Sequence, residues 1–400
     1  MILSRVLAFL PLLVLSLAQN PECTLQPSSG GGDDSPQFIE AGKTCSVVTI
    51  PQGQTLNLAT KLNMTGLSDV RINLQGTIRF KPDIDYWLAN LALAPKNSFQ
   101  FAFQNQSTFW LLGGNNIVLS GGGTIDGAGQ AWYDALASNS TLQRPITMTI
   151  FQGTGVVVEN VKMINGPNWF NLVNESRNVT YNNITISAAS TSSNGPHNTD
   201  GWDTYRSDNV VIKNSVIHNG DDCVSFKPNS TNVLVSNLDC TGSHGISVGS
   251  LGQYPDMFDI VENVTAVDIK MTNASDGARI KAWAGAGVGA GSVKNITFRN
   301  FEVTNVGSPL TIDQCYMTDQ AACSANPSNT FIADIFYEGV TGTGSSTTLA
   351  NLKCSPDARC SNINVNGLEL RPASGGTPAY VCQNVALKGD SAGLFNCTST

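Results

Sequence analysis

One pattern returns along this chain of 400 residues, and it limits the folds open to it. Its form is Asn-Val-x-Ile-x-Asn-x-x-Ile. It is read as Asn178-Val179-Thr180-Tyr181-Asn182-Asn183-Ile184-Thr185-Ile186 and again as Asn209-Val210-Val211-Ile212-Lys213-Asn214-Ser215-Val216-Ile217. It returns at Asn232-Val233, Asn263-Val264 and Asn295-Ile296, and more loosely near Gly155-Val156, Phe331-Ile332 and Asn362-Ile363. From Val179 the steps to Val210, Val233, Val264 and Ile296 are 31, 23, 31 and 32 residues. Each repeat holds short runs of alternating apolar residues, the mark of strands with one buried face. Asn and Gly between the runs tolerate left-handed backbone and make sharp turns. A repeat of 20 to 32 residues built this way predicts an all-β, single-domain parallel β-helix, in which each coil stacks on the next. A β-propeller, at about 40 to 50 residues per blade, fits less well.

Stacking gives meaning to spacings between distant residues, because parallel strands lie about 4.8 Å apart. Four polar clusters fall at coil-like intervals: Asn198-Thr199-Asp200, Gly220-Asp221-Asp222, Ser243-His244-Gly245 and Arg279-Ile280-Lys281. A ladder of Asp200, the Asp221–Asp222 pair, His244 and Arg279 over successive coils is expected. Asn198 and Asp200 share a face by i, i+2 alternation, as do Arg279 and Lys281. Asp221 and Asp222 would face opposite ways in a regular strand, so joint use requires a bend. Three carboxylates supply an acid and a base for breaking a glycosidic bond. Crowding raises the pKa of at least one of them. His244 would orient or tune the acid, and Arg279 and Lys281 would attract a substrate carboxylate. Singly, each cluster also has a plain structural reading, as a turn, a cap or a solvated strand face.

The first 18 residues read as a signal peptide. Arg5 opens it, Val6 to Leu17 is apolar, and Ser16-Leu17-Ala18 offers a cleavage site. Residues 19–400 then form the β-helix domain of a secreted protein. Secretion and ten cysteines predict local disulfides: Cys23–Cys45, Cys223–Cys240, Cys315–Cys323, Cys354–Cys360 and Cys382–Cys397. Zinc is disfavoured, because the three histidines (His197, His218, His244) lie outside ligand spacing with cysteine. Eleven Asn-x-Ser/Thr sequons, such as Asn63, Asn139 and Asn396, suggest N-glycosylation and a monomer. The formal charge of −8 disfavours nucleic acid as a partner, and at neutral pH it repels an anionic polymer. An acidic activity optimum is therefore expected. No membrane association and no cofactor or metal are expected.

The segment from about Asn165 to Gly285 resembles the polygalacturonase family of pectin-degrading glycoside hydrolases (family 28). All four of that family's clusters are present, and weaker similarity reaches Gly123-Thr124-Ile125-Asp126-Gly127 and Gln130-Ala131-Trp132-Tyr133. The resemblance implies a right-handed β-helix, hydrolysis with inversion, and pectic polysaccharide as substrate. It implies Asp221 as general acid, Asp200 and Asp222 as the pair activating water, and His244 beside the acid. Arg279 and Lys281 would bind the galacturonate carboxylate, and Tyr316 and Asn198 would contact substrate. Three segments are similar to the fungal exo-acting branch: Gly166-Pro167-Asn168-Trp169-Phe170-Asn171, Asp200 through Asp208, and Gly249-Ser250-Leu251-Gly252-Gln253-Tyr254. Secreted exo-polygalacturonase is the function expected. Endo-polygalacturonase and exo-acting rhamnogalacturonan or xylogalacturonan hydrolase are the alternatives within the family. Outside it stand a pectate lyase on a similar scaffold and a non-catalytic polysaccharide-binding β-helix.

Overall fold

The computed structural model describes residues 21–89 and 97–399. The expected signal peptide lies outside them. One sheet of 27 strands runs through the molecule with parallel pairing from coil to coil, giving a right-handed parallel β-helix. The repeat read from the sequence is its axis. Val156, Val179, Val210, Val233, Val264 and Ile296 are paired in unbroken register. Val70 and Ile117 extend the stack toward the N-terminus, and Ile335 and Ile363 toward the C-terminus. All are buried, each worth about 1.5–3 kcal/mol when withdrawn from water.

The repeat placed at Phe331-Ile332 is corrected by this register. Ile335, not Ile332, stacks on Ile296. The corner before it is Asp334, which adopts φ 57° just as the asparagines do and so hides the motif. These corners explain why Asn recurs. Asn178, Asn209, Asn232, Asn263 and Asn295 all have φ between 53° and 57°. Their amides also bond to one another along the outside of the helix. Asn209 Nδ2 donates to Asn178 Oδ1 at 2.8 Å, Asn263 to Asn232 at 3.1 Å, and Asn295 to Asn263 at 2.9 Å. Asn232 Nδ2 in turn donates to Asp208 Oδ1 at 2.6 Å.

Each corner residue thus serves both conformation and ladder. Asn232→Ala should lose about 2 kcal/mol, the sum of a left-handed alanine and the lost bonds. Asn232→Gly should lose clearly less, since glycine accepts that conformation freely. Chemical denaturation midpoints test this order; equal losses would reduce the corner to its hydrogen bonds alone.

A ten-residue helix (α1, Ser35–Thr44) went unread in the sequence. It packs Phe38 edge-on against Trp110, with ring centroids 5.6 Å apart. Five disulfides join the neighbour-to-neighbour pairs named above. Among the described residues no helix is long and apolar enough to cross a membrane.

Six strands carry the face that matters for chemistry: Asn171–Asn174 (β1), Trp202–Tyr205 (β2), Val224–Phe226 (β3), Ile246–Leu251 (β4), Asp276–Trp283 (β5) and Ser308–Tyr316 (β6). Each pairs in parallel with the next.

Candidate active site

The register fixes which polar residues meet. Trp202, Val224, Ile246 and Ala278 are paired across β2 to β5. Asp200, Asp222, His244 and Asp276 each lie two residues earlier, so they share one level of the stack. Arg279, expected at that level, is displaced by Asp276; it pairs instead with Ser247. Asn198 and Asp200 lie in the segment before β2 rather than in a strand, so alternation is not what unites them. Asp221 lies at a bend before β3, the departure from regular strand that joint use of the Asp pair demands.

Carboxylate oxygens of Asp200, Asp221 and Asp222 all fall within 4.8 Å of one another. They line a cavity of about 410 Å³ together with Asn198, Lys281 and Tyr316. Asn198 Nδ2 donates to Asp221 Oδ2 at 3.1 Å, and His244 Nδ1 lies 3.0 Å from Asp221 Oδ1. Lys281 Nζ donates to Asp222 Oδ2 at 2.7 Å, and the Ser247 hydroxyl donates to Asp222 Oδ1 at 2.7 Å. Lys281 is therefore a buried ion-pair partner as well as a cavity wall, where the sequence suggested a cation waiting for substrate. Arg279 bonds Asp276 at 3.2 Å and lies behind Tyr316, its guanidinium 5.5 Å from the ring centroid. Such a triad of carboxylates has ligand geometry for a cation. Lys281 and His244 already balance charge there.

The three carboxylates differ sharply in environment. Burial, then the charges of Asp203 and Asp221, raise the pKa of Asp200 well above the ordinary range. Its Oδ1 is buried without a hydrogen-bond partner. Burial also pushes Asp221 upward, but the hydrogen bond and charge of His244, with the charge of Lys281, bring it down to about 2. The hydrogen bond to Asp221 correspondingly raises His244. Burial drives Asp203 up to about 7 against the opposing charge of Lys227.

These shifts set a pH dependence of stability. Asp200, Asp203 and His244 bind protons more tightly in the folded state than in the unfolded chain. Between about pH 4 and 7 the native state thus holds more protons, and stability falls as pH rises. Asp221 acts oppositely, and its contribution is lost only as pH falls from about 4 toward 2. The melting temperature should peak near pH 4 to 5 and decline toward 7.5, with Asp200→Asn flattening the decline. Calorimetry across this range checks it; a melting temperature rising to neutrality would contradict these environments.

Sequence reasoning missed several residues here. Arg144, buried, donates to Asn198 Oδ1 at 2.6 Å and to the carbonyl oxygens of Pro167 and His197. Lys227, also buried, lies 3.2 Å from Asp203. As lone basic residues they carried no signal.

The cavity is bordered by a strap at residues 99–108, whose Gln104, Asn105 and Gln106 belong to its lining. Gln143 Nε2 donates to the Asn105 carbonyl at 2.6 Å, and Asn168 Nδ2 to Gln106 Oε1 at 2.7 Å. Tyr205 stacks on Phe103 at 4.0 Å, and the Tyr254 hydroxyl accepts from Gln104 N–H at 2.9 Å. Asn168, Tyr205 and Tyr254 come from the three segments likened above to the exo-acting branch. All three segments converge on the strap. A larger cavity, about 510 Å³, lies by the Cys315–Cys323 loop, but Asp313 is the single carboxylate among the described residues of its lining, so it cannot pair an acid with a base.

Comparison with known proteins agrees with this arrangement. The profile of glycosyl hydrolases family 28 matches residues 41–392. An exopolygalacturonase of Cochliobolus carbonum is 44% identical over 384 residues, spanning 92% of this chain and 84% of that protein. Exopolygalacturonase X of Aspergillus niger is 43% identical over 405 residues, covering 97% and 91%. The crystal structure of endo-xylogalacturonan hydrolase from Aspergillus tubingensis superposes with a TM-score of 0.82 at 33% identity, covering 94% and 99%. Matched along almost its whole described length in sequence and in fold, the chain belongs to glycosyl hydrolases family 28.

Proposed function

We propose that the protein is a secreted exo-polygalacturonase, which hydrolyses terminal α-1,4-linked galacturonate from pectate by an inverting acid–base mechanism. The observation that carries the reading is a three-carboxylate cluster in a cavity that the strap borders. We read the strap as a wall at one end, which admits a chain terminus and excludes the middle of a polymer. The 43–44% identity to curated exopolygalacturonases supports the same substrate and mode.

Asp221 is assigned as the acid that protonates the leaving oxygen. In the free protein the proton of its pair with His244 rests on the imidazole. A sugar filling the cavity removes water from Asp221, which disfavours its charged form. The proton then passes along the contact from Nδ1 to Oδ1, whose heavy atoms are 3.0 Å apart. Asp200 and Asp222 hold the attacking water, and Lys281 with Ser247 fixes the orientation of Asp222. Their spacing is shorter than the usual separation in inverting enzymes. Two carboxylates on one water account for that, since no water has to fit between the acid and a lone base.

Endo action, the mode of the A. tubingensis xylogalacturonan hydrolase, is the competing reading within the family. Proton NMR of fresh digests tests the chemistry. New reducing ends are expected whose first anomer is opposite to the substrate's α linkage. Retained anomers would overturn inversion, unsaturated products would indicate a lyase, and binding without new ends would leave a binding protein.

A further inference from the structure

The exo reading leaves open what recognises the terminal unit at the walled end. Two adjacent galacturonates straddling the scissile bond bring two carboxylates into a site already holding Asp200, Asp203, Asp221 and Asp222. Each needs a cation. Lys281, with its Nζ 5.3 Å from the ring centroid of Tyr316, serves one of them. The cavity is also lined by Arg144 and Lys227. Arg144 has its terminal nitrogens committed to two carbonyls and to Asn198.

Lys227 is differently placed. It follows β3, its side chain is 7% exposed, and its ammonium lies 5.1 Å from the ring centroid of Trp169. Trp169 belongs to a cluster with Ile146 and Leu172 against which Phe101 and Phe103 of the strap pack, so the indole holds the ammonium near the strap. Its ammonium lies 3.2 Å from Asp203 Oδ1, an ion contact that engages one of its three N–H donors. Asp203 alone does not use up the donors of Lys227.

We propose that Lys227, held over Trp169, is the carboxylate-recognising residue of the walled end and binds the carboxylate of the terminal galacturonate that is released. The proposal rests on the exo reading. It makes Lys227 a specificity residue: a terminal unit lacking its carboxylate should be rejected because it leaves the remaining donors of a desolvated ammonium unpaired.

The test compares trigalacturonate with an analogue whose releasable terminal unit is carboxyl-reduced. Wild type should prefer the acid by about 100-fold in kcat/KM, as expected for one charge-assisted contact in a dry site. Lys227→Met should abolish that preference, its loss on the acid exceeding its loss on the reduced analogue by about 100-fold. If this variant folds poorly, Lys227→Met/Asp203→Asn removes both members of the buried pair and is judged by the same preference. A preference that survives the substitution, or equal losses on both substrates, would overturn the proposal while monomer release by wild type still upheld the exo reading. Wild type releasing no monomer from either substrate would overturn both.

Discussion

Asp221→Asn is expected to reduce kcat on polygalacturonate by about 10⁴-fold, the upper range for losing a positioned general acid. The carboxamide is nearly isosteric. It keeps an acceptor for the Asp222 N–H, now bonded at 2.8 Å, and for His244. It loses the acceptor facing Asn198, a change of about 1 kcal/mol in stability. The melting temperature should therefore move by only a few degrees while turnover collapses. The rival acid is Asp200, whose pKa burial raises well above the ordinary range. If Asp221→Asn kept kcat within about 10-fold of wild type, the acid role would pass to Asp200. Asp200→Asn separates the two, since loss of a water-positioning carboxylate removes the base and not the proton donor.

Lys281→Ala should be the most damaging single change for stability and activity together. The ammonium lies 2.7 Å from Asp222, and the two side chains are 5% and 2% exposed. Removing one partner of such a pair leaves a buried charge and costs about 3–5 kcal/mol. Asp222 also loses the contact that fixes its orientation toward water, and the cavity loses a cation facing substrate. A fall of about 10³-fold in kcat/KM is expected, spread over both kcat and KM. Combining Lys281→Ala with Asp222→Asn should recover part of the stability and none of the activity. A double-mutant cycle in denaturant measures this. Full additivity would show that the pair does not interact as its geometry indicates, and a change confined to KM would restore the simpler picture of a cation that only binds substrate.

Much of the architecture was legible because the fold is one-dimensional. The apolar register from Val156 to Ile296 could be read from position alone, since each coil repeats the same physical demand. It failed at Ile335, where Asp334 takes the left-handed corner that asparagine takes elsewhere. Helix α1 was missed because its apolar residues are few and it occurs once. Within the site, the carboxylates and His244 stood out because their intervals match the coil length. Arg279 fell out of the expected ladder because the 35-residue step from His244 overshoots the coil, and Asp276 takes the level instead. Lys281 was read as a free cation, since sequence gives no sign that Asp222 lies one bond away across 59 residues. Arg144 and Lys227 illustrate a general limit. A buried single cation is defined by what surrounds it, and those surroundings come from other coils.

The central claim is that a walled cavity restricts cleavage to chain ends, and the length distribution of early products tests it most directly. Polygalacturonate should be digested to a few per cent of its linkages and the products separated by size, with Asp221→Asn as the blank. The account predicts monogalacturonate as the sole small product, with polymer length falling slowly. A ladder of oligomers at the same extent of hydrolysis would contradict it and show that the strap leaves the cleft open to internal sites.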